Sequence, residues 1–192
     1  MYKVLTLFLL VFFSCSFQPK EPPKALVVGD SCSKFDGGWQ DLLKEEYDVT
    51  NRSVGGIRTK ELREVLMKED QLYDYVFIYV GINDAFAYTD LYDCVVYQQQ
   101  MVDFCLSRGE IPVIVVGYSW RANIRTWVVD KNREEFHRNR YRILQEQLEE
   151  CLQDCYIVTA CDFNRSMLMK DGIHPTFPGH RVLWEHIRSS VP

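Results

Sequence analysis

An alternation running the length of the chain constrains the fold most. Short continuous apolar runs at 25–29, 75–80, 111–116 and 155–159, with a weaker one at 47–54, are separated by longer amphipathic stretches. Runs that stay apolar without alternating are what strands buried on both faces require. The stretches between them, 39–46, 60–68, 94–107, 133–152 and 178–189, carry apolar residues at helical spacing. Strands joined by helices of this length need right-handed crossovers and lie parallel, with helices covering both faces. The expected fold class is therefore α/β, a three-layer α/β/α sandwich with a five-stranded parallel sheet.

The size and balance of the chain agree. Its 192 residues suit one domain with its own core, and 47% hydrophobic residues exclude intrinsic disorder. A net charge of −5 argues against a nucleic-acid partner, because phosphate neutralisation needs clustered Lys and Arg in excess. A monomer is expected.

Residues 1–14 read as a signal peptide: Lys3, then an apolar stretch broken only by Thr6. Ten such residues rise about 15 Å as a helix, half of a hydrocarbon core of ~30 Å, so the segment is too short to span. Two cleavage patterns fit. Ser14-Cys15 resembles a bacterial lipobox, which makes Cys15 a lipidation site and an N-terminal membrane anchor; cleavage after Ser16 is the other. Residues 15–24 hold Pro19, Pro22 and Pro23 and read as a stiff, solvated tether. The expected location is periplasmic or on the outer-membrane or cell surface. If Cys15 carries a lipid, six cysteines remain, either as disulfides of unreadable pairing or as free thiols.

In open parallel sheets ligands bind outside the carboxyl ends of the strands. Four groups stand there: Gly29-Asp30-Ser31-Cys32-Ser33, Ser53-Val54-Gly55-Gly56, Gly81-Ile82-Asn83-Asp84 and Asp171-Gly172-Ile173-His174-Pro175. A serine needs a base to become nucleophilic, and the base needs a third group to fix its tautomer. Ser31, His174 and Asp171 can supply those parts. Acyl transfer also needs donors for the oxyanion, and the Ser31 and Gly56 amides with the Asn83 side chain can supply them. Singly, each group has a plain reading as a turn or a helix cap; four in order at strand ends favour chemistry.

These four groups together resemble the SGNH hydrolases, the GDSL-type esterases and lipases, over Ala25 to about Val191, and the hydrolase domain is expected at 25–192. The resemblance implies a flavodoxin-like SGNH hydrolase fold, with Ser31 as nucleophile, Gly56 and Asn83 as oxyanion donors, His174 as base and Asp171 as its orienter. It implies an ester substrate, a small molecule, lipid or glycan. The chain departs from the usual family pattern at Cys32, where an aliphatic residue is commoner, and in its Ser53-Val54-Gly55 order. A non-catalytic surface lipoprotein binding glycans or lipids through the same cleft is the alternative reading.

No metal or other cofactor is expected, since no ligand spacing and no phosphate-cradling glycine motif is present. Tyr88, Trp120, Arg121, Arg125 and Trp127, in aromatic and basic stretches after the third and fourth strands, are candidate substrate contacts. His137, on a charged helix, is expected to be solvated. His180 and His186 lie in the last helix beyond the motif.

Overall fold

The computed structural model describes residues 21–120 and 131–192. Five strands form one parallel sheet: β1 (Lys24–Gly29), β2 (Asp48–Asn51), β3 (Tyr75–Tyr79), β4 (Ile111–Val115) and β6 (Tyr156–Val158), in the order β2-β1-β3-β4-β6. Register runs Ala25 to Tyr75 and Gly29 to Tyr79 between β1 and β3, and Tyr75 to Ile111 between β3 and β4. This is the three-layer sandwich that the alternating pattern predicts. The order turns back at β1 and β3, the crevice where ligands bind in sheets of this kind.

Alternate residues of each strand feed different layers. Ala25, Val27, Phe77, Tyr79, Val113 and Val115 pack with α1 (Trp39–Leu42) and α6 (Phe177–Ser190) through Trp39, Leu183, Trp184 and Ile187. Leu26, Val28, Val76, Ile78 and Ile114 face α2 (Thr59–Leu66), α4 (Leu91–Ser107) and α5 (Lys131–Cys151) through Leu62, Leu66, Met101, Val102, Leu144 and Leu148. Strands buried on both faces have no polar side to show, so their sequences stay apolar.

Three features depart from the expectation. The second strand is shorter than 47–54: it ends at Asn51, after which the backbone bonds to β1 among the described residues are Arg52 N–H to Val27 O and Val54 N–H to Gly29 O. A short helix α3 (Ile82–Phe86) follows β3 at once. A second, two-stranded parallel sheet pairs β5 (Tyr118–Trp120) with β7 (Cys161–Phe163), segments too short for a periodicity signal.

Cys32, Cys94, Cys105, Cys151, Cys155 and Cys161 are all free thiols; Cys15 lies outside the described residues. His137 is not solvated. It is buried in α5 with its ring stacked on Phe86 at 4.7 Å and Nδ1 3.3 Å from Ala85 O. Charge around a helix hid one inward face that α3 closes. Among the described residues no helix is long and apolar enough to cross a membrane.

Candidate active site

The turn that carries Ser31 is built by the residue before it. Asp30 N–H donates to Tyr79 O on β3, and Asp30 Oδ1 accepts Cys32 N–H at 2.9 Å, capping the 3-10 turn Ser31–Ser33. Gly29 is required because any Cβ there would stand 2.6 Å from Tyr79 O. Ser31 is thereby lifted half-exposed above the sheet edge. Cys32 takes the buried place of the usual aliphatic residue.

His174 reaches Ser31 from the loop before α6. Its Nε2 lies 2.8 Å from Ser31 Oγ, and its Nδ1 lies 2.7 Å from Asp171 Oδ2. An ionised carboxylate can only accept, so Nδ1 carries the proton and Nε2 is left to receive one. Asp171 Oδ1 also accepts the backbone N–H of Ile173 and His174, closing the loop on itself. Partial burial works to raise the Asp171 pKa. The His174 hydrogen bond, the two backbone donors and the His174 charge outweigh it and hold the pKa below the usual carboxylate value. Phe35 sets its ring edge-on against the His174 ring at 5.2 Å.

The three proposed oxyanion donors gather at the same sheet edge. Gly56 has φ +76 with open space where a Cβ would stand, so the turn needs glycine for its conformation and not for room. Gly55 lies beside Ser31, its Cβ position 3.9 Å from Ser31 Cβ. Asn83, in the first turn of α3, donates from Nδ2 to Ile57 O at 3.0 Å. A side-chain amide carries two N–H groups, so one remains for a ligand. Among the described residues neither the Ser31 nor the Gly56 amide is taken up by a side chain or a loop carbonyl.

An imidazole on a serine, a carboxylate on the imidazole and free amides beside them are the arrangement that nucleophilic ester hydrolysis requires. The match to known proteins agrees with that chemistry. Residues 25–182 match the model of the GDSL-like lipase/acylhydrolase family. The chain belongs to this family. It is an SGNH-type serine hydrolase acting on esters. No curated protein matches it.

Solved structures share the fold at low sequence identity. TesA is 22% identical over 87% of this chain and 97% of its own, with a TM-score of 0.64. A catalytic variant of Axe2, an acetylxylan esterase from Geobacillus stearothermophilus, is 15% identical over 88% and 94%, with a TM-score of 0.67. The psychrotrophic esterase EstA from Pseudoalteromonas sp. is 15% identical over 88% and 96%, with a TM-score of 0.55.

Of the candidate substrate contacts, Tyr88 stands just past α3. It is 53% exposed on a left-handed backbone (φ 59), with Phe136 at 5.6 Å and the Arg140 guanidinium 5.9 Å from its ring. Trp120 ends β5, and its side chain, like Arg121, Arg125 and Trp127, lies outside the described residues. Sequence reasoning missed Phe35 and Tyr118. The Tyr118 hydroxyl donates to Ile173 O, beside His174, from a ring stacked on Phe163 at 4.4 Å. Neither contact has a signal in local sequence, because both depend on chain crossings. Asp84 follows Asn83 in the same motif, and nothing in the local sequence gives it a role.

Proposed function

We propose that this esterase works through an acyl-enzyme on Ser31, and the observation that carries the reading is the continuous Asp171–His174–Ser31 relay. His174 Nε2 takes the Ser31 proton as Oγ attacks the ester carbonyl carbon. The carbonyl oxygen becomes an oxyanion held by the Ser31 and Gly56 amides and the free N–H of Asn83 Nδ2. The imidazolium then returns its proton to the departing alcohol, leaving the acyl group on Oγ. Water attacks the acyl carbon and loses a proton to His174, and as the acyl carbon–Oγ bond breaks the imidazolium returns that proton to Ser31 Oγ, releasing the acid. Asp171 keeps its charge throughout and favours the imidazolium.

The substrates are acyl or acetyl esters of a lipid or a glycan. Tyr88, Trp120, Arg121, Arg125 and Trp127 are proposed to contact them. We read residues 1–14 as an export signal, Cys15 as the lipid-bearing residue, 15–24 as the tether and 25–192 as the hydrolase domain. Intact mass of the membrane-extracted protein tests the anchor; an unmodified chain starting at Phe17 refutes it.

The activity reading is tested with p-nitrophenyl esters from acetyl to palmitoyl and with a fluorophosphonate probe. Wild type is expected to turn over and to label at Ser31, while Ser31→Ala keeps its circular dichroism spectrum and does neither. Equal rates in both proteins sink the mechanism. A wild type that binds ester but neither labels nor turns over makes the chain a binding lipoprotein.

A further inference from the structure

The turn that carries Gly56 has little of its own to hold it. Residues 54, 55, 56 and 58 are exposed, Ile57 N–H to Val54 O at 3.3 Å closes the turn, and past the end of β2 the backbone bonds to β1 among the described residues are those of Arg52 and Val54. Ahead of them α2 begins at Thr59. The residue before it, Arg58, has no acceptor in its side chain and so cannot cap the first N–H groups of the helix. Glu61 takes the Arg58 N–H at 3.0 Å but leaves Thr59 N–H unserved.

The missing acceptor comes from another element. Asp84 Oδ2 accepts Thr59 N–H at 3.0 Å and Thr59 Oγ1–H at 2.8 Å, with both residues fully buried. Its neighbour Asn83 meanwhile donates to Ile57 O. Two adjacent residues of α3 thus grip two positions, 57 and 59, just after the Gly56 amide. The Asn83 bond also spends one Nδ2 hydrogen and so aims the other.

We propose that Asp84 is a positioning residue that pre-organises the oxyanion hole, fixing the Gly56 amide and the Asn83 side chain relative to each other through Thr59. Asp84 does not touch substrate. A carboxylate suits the task because it accepts two bonds on one oxygen and sits at the positive end of α2. Donors aimed at charge that exists only in the transition state raise kcat without tightening substrate binding. A shift of about 1 Å in such a site costs on the order of 100-fold.

This inference rests on the acyl-enzyme reading, and the test separates the two. Asp84→Ala is assayed for ester turnover and for the rate of Ser31 labelling by a fluorophosphonate, beside wild type and Asn83→Ala. The expected result is a fall in kcat of about 10- to 100-fold with KM within about threefold, and a parallel fall in labelling. The pH at which the rate rises should stay that of wild type, since the relay is untouched. The Asn83→Ala/Asp84→Ala double variant should lose less than the product of the single losses, because both act on one oxyanion.

A folded Asp84→Ala with kcat within twofold of wild type overturns the proposal, as does full multiplicativity in the double variant. If Asp84→Ala does not fold, Thr59→Val and Thr59→Ser decide the matter. Loss of kcat in the valine variant with recovery in the serine variant supports the clamp, and equal rates refute it. If wild type itself neither turns over ester nor labels, it is the acyl-enzyme reading that fails.

Discussion

His174 Nε2 stands 2.8 Å from Ser31 Oγ although 143 positions separate the two residues. The short distance is held from the other side of the ring, where Asp171 Oδ2 lies 2.7 Å from Nδ1. Replacing Asp171 by Asn puts a donor where only an acceptor serves, which allows the imidazole to turn its proton toward Ser31. Asp171→Asn should lower kcat by about 100- to 10,000-fold with KM little changed, measured on p-nitrophenyl acetate. A loss below tenfold would show that His174 is oriented by something else.

Tyr118 secures the His174 loop from beneath. Phenylalanine keeps the stacking on Phe163 and removes only the hydroxyl that Ile173 O accepts. Tyr118→Phe should cost about 1 kcal/mol in urea unfolding and lower kcat about 3- to 10-fold, with the unfolding slope unchanged.

Asp30 gives a stability term of unusual sign. Burial raises its pKa from 3.8 to about 7, against the opposing pull of the Cys32 N–H and the His174 charge, and Oδ2 has no partner. The folded state therefore holds this proton more tightly than the unfolded one. The stabilisation is complete below pH 3.8, declines as pH rises and is gone above about 7. Asp30→Asn keeps an oxygen for Cys32 N–H and removes the buried charge. It should gain about 1–3 kcal/mol at pH 8 and nothing near pH 3, read from thermal unfolding at both values.

His180 tilts the other way. It is buried in α6 with both ring nitrogens unpartnered, and burial, with the nearby His174 charge, lowers its pKa from 6.5 to about 4. The unfolded chain takes up this proton first as acid is added. Stability present above pH 6.5 is lost as pH falls to 4, by roughly 3 kcal/mol. His180→Leu should abolish that acid slope and raise stability at pH 5; an unaltered slope assigns it to other groups.

Much of the fold was legible because burial on both faces leaves its mark on the inner strands β1, β3 and β4. Residues 75–79 could be read as a strand without knowing their neighbours, since a strand covered by two layers must be apolar throughout. The short pair at 118–120 and 161–163 could not, because three residues carry no period. His137 misled for a related reason: Phe86 and Ala85, which bury it, come from another part of the chain.

At the site, the sequence by itself determined which chemical groups are on offer: Ser31, Gly56 and Asn83 in the segments that follow strands, and, in the loop before the last helix, the Asp171 and His174 pair whose spacing of three lets a carboxylate meet its own imidazole. Those are local facts of residue type and turn geometry. Only the tertiary structure decided what holds them: Asp84 across to Thr59, Asn83 across to Ile57, Tyr118 beneath Ile173 and Phe35 against His174. The physical reason is that these contacts join residues 25 to 139 positions apart, and hydrogen bonds of that range are set by how the layers pack.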